Sequence, residues 1–231
     1  MKKSLKIIIE VALFAVIVLL VVAIVRSIKK PVDFNKQTEF RKSVAIQRLK
    51  DIRTLQVAFK SVNGRFVSTV DSLVDFYNNG KMEIVMQVGS LDDSLAVIHT
   101  EQVKRKSRKK MTGSDFLKLY QEGDKNLVFS VETQIPVRDT LFLGREDFVA
   151  DSLCTIPFSG GEPVIMDAII KQVSGVPVPL FEAKMPYKSL LKGMDNQLRI
   201  NLDAQMRDQN RYEGLQVGSI TAPNNNAGNW E

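Results

Sequence analysis

Ile7-Ile8-Ile9-Glu10-Val11-Ala12-Leu13-Phe14-Ala15-Val16-Ile17-Val18-Leu19-Leu20-Val21-Val22-Ala23-Ile24-Val25 is the stretch that organises the whole chain, with Lys2, Lys3 and Lys6 before it and Arg26, Lys29 and Lys30 after it. It carries a single charge, Glu10. At 1.5 Å per residue a helix of this length covers about 28 Å, the thickness of the hydrocarbon layer of a bilayer. A cleaved signal peptide has a shorter apolar region that ends at a small-x-small site, whereas this one runs straight into Arg26-Ser27-Ile28-Lys29-Lys30. The reading is an uncleaved N-terminal anchor over residues 1–30. Cys154 lies far from the N-terminus, which disfavours a lipoprotein start.

Lys2, Lys3 and Lys6 on one side nearly balance Arg26, Lys29, Lys30 and Lys36 on the other, so charge alone decides orientation weakly. The short leading tail favours the N-terminus inside, which places the rest of the chain outside the cytoplasmic (inner) membrane, in the periplasm of a bacterial cell. Glu10 sits one turn into the apolar run, where a carboxylate either snorkels to the headgroups or pairs within an assembly of such helices.

The formal charge of +6 suggests nucleic acid only until it is divided by region. Residues 1–30 hold six cations against Glu10, and the run Lys104-Arg105-Lys106-Ser107-Arg108-Lys109-Lys110 holds six more. The remainder of the chain is net negative, and an exported domain would meet no nucleic acid. The basic run reads either as a solvated loop or hairpin tip, or as a dock for anionic lipid, cell-wall polymer or an acidic partner.

From Asp33 to Val62 the chain has neither Gly nor Pro, and Ile52, Leu55, Phe59 and Val62 form one apolar stripe at helical spacing. That stripe packs either on its own domain or on sister subunits in a homo-oligomer. Asn63-Gly64 ends the helix, and Ser68-Thr69-Val70-Asp71 opens a short second one that Asn78-Asn79-Gly80 stops, completing a segment 31–80. Residues 81–220 read as a β-rich α+β domain with a mostly antiparallel sheet. Strands are expected at 82–88, 127–137, 164–173, 178–183 and 198–206, and short helices after Gly113 and Pro186. Residues 221–231 are a polar tail closed by the only tryptophan, Trp230, which either stays with a disordered tail or docks on the domain or on a partner.

Few groups could do chemistry. One Cys and one His exclude a disulfide framework and a Cys/His zinc cluster. His99 reads as a surface or strand-end residue, and Cys154, in Asp151-Ser152-Leu153-Cys154-Thr155-Ile156-Pro157, as buried and inert. Ser159-Gly160-Gly161-Glu162-Pro163 lacks the Lys-Ser/Thr of a phosphate loop and is a turn. The carboxylates Asp92, Asp93, Glu146, Asp147 and Asp151 show no ligand or acid/base spacing. No catalytic residue, metal ligand or cofactor follows, and the expectation is a non-enzymatic scaffold or assembly protein. A membrane-tethered ligand-binding or enzymatic domain is the alternative.

The order of parts in residues 1–76 resembles the type IV pilins and pseudopilins: a short cationic start, an apolar segment with Glu10 near its beginning, and a continuous helix. It closes on Ala58-Phe59-Lys60-Ser61-Val62-Asn63-Gly64-Arg65-Phe66 and Asp71-Ser72-Leu73. The family's processing motif places Gly or Ala before the cleavage point and Phe or Met after it, where this chain has Leu5 and Lys6. An unprocessed design such as the bitopic alignment proteins of pilus and type II secretion machines fits better. The resemblance implies an assembly role, with Glu10 in the lateral contact.

Overall fold

A computed structural model describes residues 3–231, with side chains from Glu10 onward. Lys2, and the side chains of Lys3, Leu5 and Lys6 on which orientation and processing were read, lie outside the described residues.

One helix, α1, runs from Lys3–Asn63, about 90 Å at the usual rise, through Pro31. From Glu10 to Lys30 every position is exposed, and this part is long and apolar enough to cross a membrane. Beyond Pro31 the same helix becomes part of a domain, with Phe34, Thr38, Ala45, Leu49, Ile52, Leu55 and Gln56 turned inward and buried. The stop at Asn63-Gly64 is as expected. Gly64 adopts a left-handed φ of 71° and its N–H bonds to the Lys60 carbonyl at 2.8 Å.

Helix α2 (Val70–Asn79) follows Thr69 and folds back on α1, burying Leu73, Val74 and Phe76. The Phe59 and Phe76 rings meet edge to face at 5.1 Å. The β-rich expectation resolves into two separate antiparallel sheets. In the first, β1 (Lys81–Val88) pairs with β2 (Phe129–Pro136) as a ribbon. Between its strands come α3 (Ser94–Lys106), capped by the Asp93 carboxylate, and α4 (Gly113–Gln121), opened by a reciprocal Thr112–Asp115 capping box. Phe116, Leu127, Phe129 and Val131 give this unit a small core of its own.

The second sheet has the order β3-β4-β5, from Ile165–Val173, Val176–Pro186 and Gly214–Gly218. Its inner face carries Phe181, Ala183, Met185, Leu215 and Val217, which pack with the buried faces of α1 and α2 into the main core. Each fully buried side chain there contributes about 1.5–3 kcal/mol. Helix α5 (Tyr187–Leu190) follows Pro186 as expected.

One sequence expectation is corrected, and two that left alternatives open are decided. Residues 198–206 form no strand but lie in α6 (Asn196–Asp208), capped by Asp195 accepting from Leu198 N–H at 2.9 Å. Leu198, Ile200 and Leu202 alternate like a strand, yet Leu198, Leu202 and Met206 step by four and pack on the main core while Ile200 faces out. Of the surface and strand-end readings of His99 the strand end falls, since the residue stands partly exposed on helix α3 with its ring 2.8 Å from Asp124. The tail 221–231 is docked: Val217 and Gly228 form an antiparallel bridge, and Asn229 N–H bonds to the Gln216 carbonyl at 2.9 Å.

Candidate interaction surfaces

The residues proposed from the sequence for interaction fall in four separate places. Glu10 occupies an exposed position on the apolar part of α1. The stripe Ile52, Leu55, Phe59, Val62 divides: Ile52 and Leu55 are completely buried in the chain's own core, Phe59 is half-buried against Phe76, and Val62 is 47% exposed. The own-domain alternative therefore holds for Ile52 and Leu55, which have no surface left for a sister subunit. Only the upper end of the stripe still faces outward.

The basic run is a helix end and the loop after it. Lys104, Arg105 and Lys106 form the last turn of α3, where cations complement the negative end of the helix dipole, and Arg108, Lys109 and Lys110 follow in the connection to α4. Lys104 Nζ lies 2.7 Å from Glu101, whose carboxyl it holds below the usual range. On the same helix Leu95 and Ile98 are exposed, Leu95 by 75%, and Leu91, in the turn before the helix, is exposed as well. Sequence reading passed over these residues because α3 itself was not expected; the spacing of Leu95 and Ile98 was the available signal.

Trp230 packs against the main core, and its indole Nε1–H is buried without a hydrogen-bond partner in the described structure. Gly228 permits this, since a Cβ there would run into the Trp230 ring. Asn229 Nδ2 donates to the Gly214 carbonyl at 2.9 Å, and Arg53 reaches both the Asn226 carbonyl and the Glu231 carboxylate. The tryptophan thus anchors the tail to its own domain.

A site the sequence did not suggest is a cleft of about 630 Å³ between α6 and the turn that leads into β5. Lys188, Arg199, Arg207 and Arg211 line it together with Asp203, Tyr212 and Glu213. Arg199 pairs with Asp203 at 2.5 Å, and Arg207 with Glu213 at 2.7 Å, which leaves Lys188 and Arg211 as positive charges without a carboxylate partner among these groups. Burial pushes the Asp203 carboxyl up against the opposing pull of Arg199, and its Oδ1 is buried without a partner in the described structure. Burial, and then Glu182, push up the Tyr212 phenol at the cleft wall. The recurrence Arg199, Asp203, Arg207 at steps of four was visible in the sequence but meaningless while 198–206 read as a strand.

The remaining reactive groups are held in place. Cys154 Sγ lies 3.3 Å from Asp71 Oδ1, and burial, then that hydrogen bond, push the thiol up to about 11. It is a thiol, not a thiolate, at neutral pH. Asp51 is buried, with Arg145 at 2.6 Å and Gln47 Nε2 at 3.0 Å. Among the described residues no group of three or more His, Cys, Asp or Glu is placed to hold a metal ion. Compared with known protein families, curated proteins and solved structures, the chain matches none.

Proposed function

We propose that this chain is a single-pass membrane protein, anchored by residues 7–25 with its N-terminus inside, whose exported α+β domain is a non-enzymatic structural or assembly component of a cell-envelope machine. The observation that carries the reading is the division of α1. Its apolar half is exposed from Glu10 to Lys30, while its polar half is clasped by the domain from Phe34 onward. An apolar helix surface of that size is unfavourable in water and is suited to a bilayer or to packed sister helices. The pilin-like order of parts over residues 1–76 supports the assembly role, and the Cys154 thiol, half-buried rather than buried and pulled up beside Asp71, is a poor nucleophile for the alternative.

Topology in the native host tests it. In a Cys154→Ala background, a cysteine at Lys106 should react with a membrane-impermeant thiol reagent in intact or outer-membrane-permeabilised cells. Labelling only after full lysis would invert the orientation and make the basic run a candidate for cytoplasmic polyanions.

The cleft around Asp203 favours a second reading, a tethered domain that binds an anionic small molecule. Lys188 and Arg211 would receive its charge, and the Tyr212 ring would form one wall. Saturable binding of inorganic phosphate or glucuronate that Arg211→Ala abolishes would favour it; heat-flat titrations would leave the scaffold reading standing.

A further inference from the structure

The loop between α5 and α6 reaches back to the base of the domain. Lys30 Nζ lies 2.6 Å from Asp195 Oδ2, although these residues are far apart in sequence. Lys30 is only five residues beyond Val25, the last of the apolar run, so along a helix it stands about 7.5 Å past that end. A headgroup layer of some 5–7 Å separates the hydrocarbon from water on each side. In a chain anchored by residues 7–25, the Lys30–Asp195 pair therefore stands at the outer edge of that layer, and with it the turn that carries Asp195.

The junction would otherwise be a hinge. Pro31 has no N–H to give to the Ser27 carbonyl one turn earlier, which weakens the helix where it leaves the bilayer. The domain grips α1 immediately above this point. Phe34 and Thr38 are buried, and Arg41 Nη1 donates to the carbonyls of Leu190 and Lys192 at 3.0 and 2.9 Å. Below the grip, Arg26, Lys29 and Lys30 recur at i, i+3 and i+4 along α1, and Lys30 among them meets Asp195. Asn196 and Gln197, next to Asp195 at the start of α6, are exposed.

We propose that the turn Met194–Gln197, with the first turn of α6, is seated in the phosphate headgroup layer of the bilayer that the chain's own anchor crosses, and that the Lys30–Asp195 pair latches it there across the Pro31 junction. Arg26 and Lys29 offer the lipid phosphates cations beside the turn. The domain is thereby fixed in height and azimuth over the membrane rather than swinging on a linker. This rests on the single-pass reading above.

The test uses the full chain in phosphatidylcholine nanodiscs doped with a lipid whose headgroup chelates nickel. Nitroxides are placed singly at Gln197→Cys, Asn63→Cys and Leu19→Cys in the Cys154→Ala background. The expected result is strong relaxation by the headgroup nickel at 197 and none at 63, which stands 33 residues and about 50 Å along the helix from Lys30. The probe at Leu19 should be open to oxygen but closed to soluble nickel. Loss of relaxation at 197 while Leu19 keeps its buried profile would overturn the seat and leave the anchor intact. A water-exposed Leu19 would instead overturn the anchor itself. Lys30→Gln, which breaks the latch without touching the Asp195 cap of α6, should reduce the relaxation at 197 and broaden its distance to the membrane; an unchanged signal would overturn the latch.

Discussion

Arg53 Nη1 lies 2.7 Å from Glu231 Oε1, so the C-terminal tail is tied to the C-terminal part of the first helix across 178 positions of sequence. As an ion pair near the surface it contributes little, about 0–1 kcal/mol. Its meaning is positional, because it closes a tail whose stabilising contact is Trp230 against the main core.

Trp230→Ala should therefore destabilise the domain by about 3 kcal/mol, within the range for large aromatic truncations in cores, whereas Arg53→Ala should cost well under 1 kcal/mol by itself. Urea unfolding followed by circular dichroism measures both. A tryptophan variant indistinguishable from wild type would mean that the tail is not docked in solution.

Leu55→Ala should cost about 2–5 kcal/mol because it empties a completely buried position, while Val62→Ser, on the exposed end of the same stripe, should stay within about 0.5 kcal/mol. Site-directed crosslinking divides them the same way. A cysteine at Val62 is accessible to a neighbouring chain, and one at Ile52 is not. Efficient intermolecular crosslinking through Ile52 would contradict the burial.

The Cys154 thiol should alkylate slowly at neutral pH and speed up with a midpoint about 11, against 9.0 for an unperturbed thiol. The sign for stability follows. The folded state keeps its proton where the unfolded chain has lost it, so this contribution is complete below pH 9 and fades as pH rises toward 11. Replacing Asp71 by Asn should lower the midpoint and raise the rate at neutral pH. Alkylation rates against pH, read by mass spectrometry on the native protein, decide it.

Removing Arg199 should be more harmful than removing the charge of Asp203. Arg199→Met leaves a buried carboxylate without its donor, a loss of about 1–3 kcal/mol, whereas Asp203→Asn removes the group whose charged form burial opposes. The order of the two unfolding midpoints at pH 7 is the observable, and the reverse order would mean that Asp203 is solvated in solution.

The sequence by itself determined what local chemistry controls. The apolar run and its cationic flanks, the absence of Gly and Pro from residue 33 to 62, the left-handed stop at Gly64, and four of the five expected strand positions follow from side-chain period and turn residues acting over short distances. What the tertiary structure decided is which surface each of these faces meets. Ile52 and Leu55 could have served a partner or a core with the same spacing, and only the inner face of β4 and β5 made them core. Residues 198–206 satisfied both periods, and burial of Leu198, Leu202 and Met206 on one side selected the helix and so assembled the Asp203 cleft. The tail of Trp230 and the Lys30–Asp195 contact join residues far apart in sequence, and no local signal encodes them. Burial and charge pairing are gained only when the chain has closed, so the sequence states which faces need covering and the fold decides what covers them.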